Sequence, residues 1–196
     1  MQKNIFTLAR FRALPAEIHV MLLGTLLTRG AYFMVWPFLA VLLYRQFHFS
    51  ATAIGALLSA ATVCGAVSGV YTGWLSDRFG RRRLILCGTS LSALAFCLLS
   101  YGHTPVWYGL GIAGVSVGCA LLESSCKALI GDRVTDKASR ELALYCRYYA
   151  INIGAAAGPL FGVTLGIGER GLTFFITASL YFLYGLTLWR LLRHRM

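Results

Sequence analysis

Four ionisable residues, Arg29, Glu123, Lys127 and Arg147, stand inside long apolar runs of the chain. A charge at such a place is costly, and it faces a cavity or meets a partner. Lys127 follows Glu123 by four residues, so a helix carries both on one face. Arg147 begins the next apolar run at a similar depth, which makes a cluster of one carboxylate and two cations sterically reasonable. Two chemistries are open to it. Glu123 can carry a coupling proton, or the cluster can be a neutralised structural knot. Arg29 lies about 12 residues into the first run, ~18 Å at 1.5 Å per residue, too deep to reach an interface. Phe33 and Trp36 follow at i+4 and i+7 on the same face. That face can line a cavity with a cation and aromatics, or Arg29 can serve structural hydrogen bonding. Asn152 adds a polar group in the fifth run, as a cavity-lining residue or a bridge between helices.

Other residues that could do chemistry argue against it by context. Gly114-Val115-Ser116-Val117-Gly118 matches the GxSxG nucleophile pattern, but that elbow needs a strand, a turn and a helix in succession. Here it lies mid-run, where Gly114 and Gly118 suit helix packing. His19, His48, His103 and His194 fall at run ends or between runs, away from any serine in a span. The six cysteines, Cys64, Cys87, Cys97, Cys119, Cys126 and Cys146, form no CxxC pair and read as small packing residues rather than metal ligands. No GxxxxGK[ST] loop occurs, so nucleotide hydrolysis is not indicated.

The elements that must position these residues follow from composition. The chain has 196 residues, 58% of them apolar and only 13% charged. Soluble domains are about 25% charged, so a water-soluble enzyme and a disordered tail are both disfavoured. No charged residue occurs from Gln46 to Ser76, Leu84 to Leu122, Tyr148 to Gly168 or Gly171 to Trp189. A membrane-crossing helix needs about 20 apolar residues. The 39-residue run from Leu84 to Leu122 is too long for one span and breaks near Gly102, where Thr104 can cap a helix and Pro105 can occupy its first turn. The spacing predicts six transmembrane helices, at about 17–43, 52–75, 84–101, 106–130, 142–167 and 172–191, in a single domain covering 1–196.

The net charge of +11 is mostly a topology signal rather than a nucleic-acid footprint. Thirteen of the 18 Lys and Arg fall at one end of such a bundle, from Lys3 before span one to Arg195 after span six. Only Arg45 and Arg170 fall at the other end. Short positive loops stay in the cytoplasm. Both termini and the loops 76–83 and 131–141 are therefore expected there, in a plasma (inner) membrane. The basic N-terminus mimics a signal peptide, but the apolar stretch after it is too long and carries Arg29, so it reads as a retained span.

The loop after span two reads Gly73-Trp74-Leu75-Ser76-Asp77-Arg78-Phe79-Gly80-Arg81-Arg82-Arg83. By physics alone this is a tight charged turn, with Gly80 permitting chain reversal. Its spacing resembles the cytoplasmic loop signature of the major facilitator superfamily. The resemblance implies that Gly73 packs closely on a helix of a second half, and that Asp77 faces that helix's N-terminus. It implies that Arg81 pairs with Asp77 and with Asp132 at the end of span four. With Arg78, Gly80 and Arg82, these residues would form a latch that holds an outward-facing state and breaks on inward opening.

Span five carries Gly154, Gly158, Pro159 and Gly162 on one face. This reads as a helix-packing stripe of the GxxxG kind, and it is also similar to the antiporter motif of the superfamily's drug/proton exporters. That motif often has a further Gly where Val163 stands. Span four lacks the arginine that many members carry near its middle. The resemblance implies an all-α membrane protein of two inverted three-helix repeats, the N-terminal six-helix half of a usual twelve-helix transporter. It implies proton-coupled export of a small amphipathic solute by alternating access. A proton gradient would be the energy source, with no cofactor. The expected partners are the lipid bilayer, the solute, protons, and a second six-helix half or a homodimer mate, with no nucleic acid. The alternative is a non-transporting six-helix fragment or interaction partner, in which Gly73 and the glycine face of span five mark docking surfaces.

Overall fold

The structure, a computed structural model, describes residues 5–164 and 170–193. Lys3, His194, Arg195 and the expected end of span five at 165–167 lie outside the described residues. All described elements are helical. They are α1 (Leu8–Arg12), α2 (Ala16–Val35), a 3-10 turn (Trp36–Phe38), α3 (Leu39–Phe47), α4 (Ala51–Phe79), α5 (Arg81–Tyr101), α6 (Pro105–Arg133), α7 (Lys137–Thr164) and α8 (Arg170–Arg193).

Five segments are long and apolar enough to cross a membrane: Ala16–Phe47, Ala51–Phe79, Arg81–Tyr101, Pro105–Arg133 and Gly171–Arg193. The sixth expected span, α7, is as long, but its first turns hold Lys137, Arg140, Glu141 and Arg147 and the rest is rich in Gly and Ala. It is nevertheless built into the bundle against α2. The first span is not one helix. Pro37 supplies no backbone donor, and the chain tightens into the 3-10 turn before α3 continues.

The ends of the helices follow local chemistry. The Ser50 hydroxyl caps α4 by accepting from the Ala53 N–H at 3.2 Å. Asp136 caps α7, accepting from the Ser139 N–H at 2.9 Å and the Ser139 hydroxyl at 2.6 Å. These two bonds hold the Asp136 carboxyl below its usual range. Pro105 takes the first turn of α6 as expected, but the Thr104 side chain makes no capping bond.

The loop expected at 76–83 shrinks to one residue. Helix α4 runs through Phe79 and α5 starts at Arg81. Gly80, at φ 89° and ψ 141°, reverses the chain alone, its N–H bonded to the Ser76 carbonyl at 3.0 Å. A side chain is strained in that region, which is close to glycine-only. Gly80→Ala is expected to destabilise the bundle by about 1–3 kcal/mol, read as a lower melting temperature in detergent, although nothing lies within 4 Å of the added Cβ.

The strongest helix pairings are α5 with α6, α2 with α7, α5 with α8, α4 with α6 and α2 with α8. Exchanging α2 with α6, α4 with α7 and α5 with α8 maps this set onto itself. That is the contact pattern of two three-helix repeats. With an odd number of spans per repeat, the second runs inverted relative to the first. Glycines set the closest approaches. Gly88 of α5 and Gly118 of α6 lie so near that a Cβ on either would sit 3.0 Å from the other's carbonyl oxygen. Gly114 and Gly118 thus lie within an unbroken helix and pack against α5, which gives the GxSxG pattern a packing role and no elbow. Phe96 and Tyr181, among the largest fully buried side chains, stack at 5.6 Å across the α5–α8 contact.

Candidate functional site

The four ionisable residues meet at one carboxylate. Arg147 of α7 donates to Glu123 through both terminal nitrogens, Nη1 to Oε1 at 2.9 Å and Nη2 to Oε2 at 2.7 Å. Lys127 Nζ lies 2.9 Å from Oε1, and Arg29 Nη2 of α2 donates to Oε2 at 2.9 Å. Each oxygen takes two donors, which fills the four lone-pair sites of an ionised carboxylate. Fork-to-carboxylate geometry of the Arg147 kind is among the strongest polar contacts in proteins. The cluster ties α2, α6 and α7 together in the interior of the bundle.

Burial is graded across it. The Arg147 side chain is 5% exposed, Arg29 18%, Glu123 30% and Lys127 57%. Arg147 seals the back and Lys127 forms the open front. Behind, Arg29 and Arg147 line a cavity of about 20 Å³ with Thr25, Thr28, Tyr181 and Tyr184. The Cys119 and Cys126 thiols contact the Tyr181 and Tyr184 hydroxyls at 3.5 and 3.6 Å. The buried Nε of Arg147 has no hydrogen-bond partner among the described residues.

Sequence reasoning grouped Glu123, Lys127 and Arg147 but left Arg29 apart. A depth count from helix ends finds the fourth member. Arg29 lies about 20 Å along α2, and Glu123 and Arg147 about 15 Å from the ends of α6 and α7 at the same side, at 1.5 Å per residue. The aromatic partner of Arg29 also differs from expectation. Its guanidinium sits 5.7 Å from the Tyr32 ring centre. Tyr32 stacks on Trp36 at 4.8 Å and meets Phe33 edge-on at 5.1 Å. Asn152 is exposed and donates to the Tyr148 carbonyl of its own helix at 2.8 Å, so it bridges no helices among the described residues.

A second ionic group lies at the end of the bundle that gathers most cations. Arg81 Nη1 is 2.6 Å from Asp77 Oδ1, and its Nε donates to Asp132 Oδ2 at 3.0 Å. One guanidinium thus joins the end of α4 to the end of α6. Both carboxylates are open, Asp77 at 69% and Asp132 at 52% exposure. Arg78 lies over the Trp74 and Phe79 rings at 5.3 and 5.8 Å, and Arg82 over the Trp189 ring of α8 at 5.6 Å. Gly73 is exposed, with nothing within 4 Å of an added Cβ.

The glycine face of span five is not a free docking surface. Added Cβ atoms at Gly154, Gly158 and Gly162 would lie 2.8 Å from the Gly30 nitrogen, 2.5 Å from the Gly30 carbonyl oxygen and 2.6 Å from the Met34 carbonyl oxygen. All three atoms belong to the α2 backbone. The stripe is consumed inside the bundle, starting about two turns after Arg147 and directly against Arg29. Pro159 sits within this helix without ending it.

Comparison with known proteins gives one family. The sequence profile of the Major Facilitator Superfamily matches residues 21–196. An uncharacterized MFS-type transporter, YqjV of Bacillus subtilis, is 32% identical over 85% of this chain and 40% of its own length. A Na(+), Li(+), K(+)/H(+) antiporter of Planococcus maritimus is 27% identical over 88% of this chain and 41% of its own. The multidrug resistance protein MdtH of Salmonella typhimurium is 23% identical over 88% and 44%. The chain therefore spans about two fifths of the length of these relatives. A crystal structure of the peptide transporter POT in complex with sulfate shares the fold, with a TM-score of 0.77 and 24% identity over 91% of this chain and 38% of that one.

Proposed function

This chain belongs to the Major Facilitator Superfamily, and from that premise we propose that it is one six-helix half of a proton-coupled exporter of a small amphipathic solute. The observation that carries the reading is Arg81 held between Asp77 and Asp132. Exposed ion pairs contribute only about 0.2–1 kcal/mol each. A latch made of them closes firmly enough to bias two arrangements and opens at little cost, which suits alternating access. Gly73, bare on the outer face of α4 beside this group, leaves room for a helix of a second half or of a homodimer mate.

In this reading Glu123 is the coupling carboxylate. A proton on it must displace one of four donors, so protonation loosens the tie between α2, α6 and α7. Protons supply the energy and no cofactor is involved. The concentration of Lys and Arg at the latch end supports a cytoplasmic location for that end and for both termini, in an inner membrane. Export, rather than import, rests on the Gly154–Gly162 pattern and on relatives named for antiport and drug resistance. A second reading, a six-helix partner with no transport of its own, is favoured by one observation, the two-fifths coverage of the relatives.

The test is flux in proteoliposomes under a pH gradient, with this chain alone and with a second six-helix half. Asp77→Asn is expected to insert normally and to lose most transport, because Arg81 then holds only Asp132. Wild-type flux from Asp77→Asn rules out the latch. No flux from any combination favours the second reading.

A further inference from the structure

The ionic cluster has too many cations for its carboxylate. Arg29, Lys127 and Arg147 surround Glu123 alone, a surplus of two positive charges within a span of the bundle. It also has too many donors. Glu123 is saturated by four bonds, while Arg147 Nε is buried without a partner among the described residues and Lys127 Nζ keeps further N–H groups at the open front. A surplus of charge and donors inside a membrane protein calls for an acceptor from outside.

The neighbouring surface says what else that acceptor carries. From Arg29, the partly buried rings of Tyr32, Phe33 and Trp36 run along the end of α2 into the 3-10 turn, about two turns or ~10 Å, packed on one another. A ligand with an oxyanion at one end and an apolar body behind it meets cations first and aromatics next.

We propose that this cluster is an oxyanion-recognition site, and that the transported solute is an amphipathic anion bearing a carboxylate or a group of like chemistry. Its head takes the remaining N–H groups of Lys127 at the open front of the cluster, and its apolar body lies along Tyr32 and Trp36. The same surplus repels alkali cations and amines. The proposal rests on the transport reading above and names its substrate class.

The experiment uses two probes with one apolar body and opposite charge, 4-phenylbutyrate and 4-phenylbutylamine, added to the purified full chain in neutral detergent at fixed ionic strength. Binding is read by calorimetry and by the shift in melting temperature. 4-Phenylbutyrate is expected to bind and raise the melting temperature, and the amine to do neither. Lys127 is mostly exposed, so Lys127→Gln should fold, and it should weaken 4-phenylbutyrate binding ~10-fold. Lys127→Arg should restore it. Equal or tighter binding of the amine or of Na⁺ overturns the proposal, as does unchanged affinity in Lys127→Gln. A repeat in phosphatidylcholine and phosphatidylglycerol nanodiscs separates solute from lipid. Loss of binding only with phosphatidylglycerol assigns the site to lipid phosphate and overturns a soluble substrate. If a reconstituted pair pumps the amine but never binds the carboxylate, the substrate class fails and transport stands. If the carboxylate binds but no flux occurs, the site stands and transport fails.

Discussion

Glu123→Gln is expected to cost about 3 kcal/mol of stability, the low end of the range for removing one partner of a buried ion pair. The cost falls unevenly. Lys127 is mostly exposed and water takes over its charge, whereas Arg147 is 5% exposed and loses a two-pronged partner. The amide oxygen can accept from one prong, but its NH₂ faces the other. Thermal or denaturant unfolding in detergent measures the loss. A second variant separates an orphaned charge from a simple loss of packing. Glu123→Gln combined with Arg147→Met removes the buried cation as well, and it is expected to recover much of the stability. A double variant that only adds the two single costs rules out direct coupling. In flux assays the single change should also flatten the pH dependence of transport, and an unchanged pH profile removes Glu123 from the coupling role.

Gly158→Ala comes next in size. The new Cβ would lie 2.5 Å from the Gly30 carbonyl oxygen, and 2.9 Å from both the Met34 nitrogen and the Phe33 Cβ. Two of these are backbone atoms, so no rotamer change relieves the clash and α2 and α7 must part. Overpacking of this kind costs about 1–3 kcal/mol, and Gly158→Leu should cost more. Parting these helices also lengthens the Arg29–Glu123 and Arg147–Glu123 contacts, so transport should fall with stability. Gly73→Ala is the control. It meets nothing within 4 Å in this chain and should melt like wild type. Lost transport at full stability would then locate the contact of Gly73 on another six-helix unit.

The all-helical membrane class and the order of the long apolar segments were legible because apolar runs and charged punctuation are local signals, whereas α1 and the break before α3 were not. Pro105 marks the start of α6, and the residues flanking Gly80 mark a reversal. The size of that reversal was not legible. The eight positions 76–83, six of them polar or charged, look like a loop, but Phe79 and Arg81 are both helical and glycine's backbone freedom does the whole turn. The 3-10 turn at Trp36–Phe38 could be read from Pro37 only as a local weakness, since many membrane helices absorb a proline, as α7 does at Pro159. Pairing across the bundle is a different kind of information. Glu123 and Lys127 are joined by helical period, so their contact follows from spacing. Arg29 and Glu123 are 94 residues apart, and nothing in either run states how α2 is rotated toward α6. The glycine stripe shows the limit most clearly. Spacing put Gly154, Gly158 and Gly162 on one face but left open whether that face meets α2 or another molecule, and the structure gives it to α2.

The long reach from Arg29 to Glu123 has a consequence for synthesis. The span that carries Arg29 leaves the ribosome before the one that carries Glu123, and the carboxylate partner is 94 residues behind. At about 5–20 residues per second, that delay is roughly 5–20 s. Over this interval the first span bears the insertion penalty of an unpaired arginine, about 2.5–3.5 kcal/mol. The two other cations of the cluster arrive with or after the carboxylate, so relief comes only when the fourth span emerges. The Arg29 contact of α2 can therefore form only after α6 has been made.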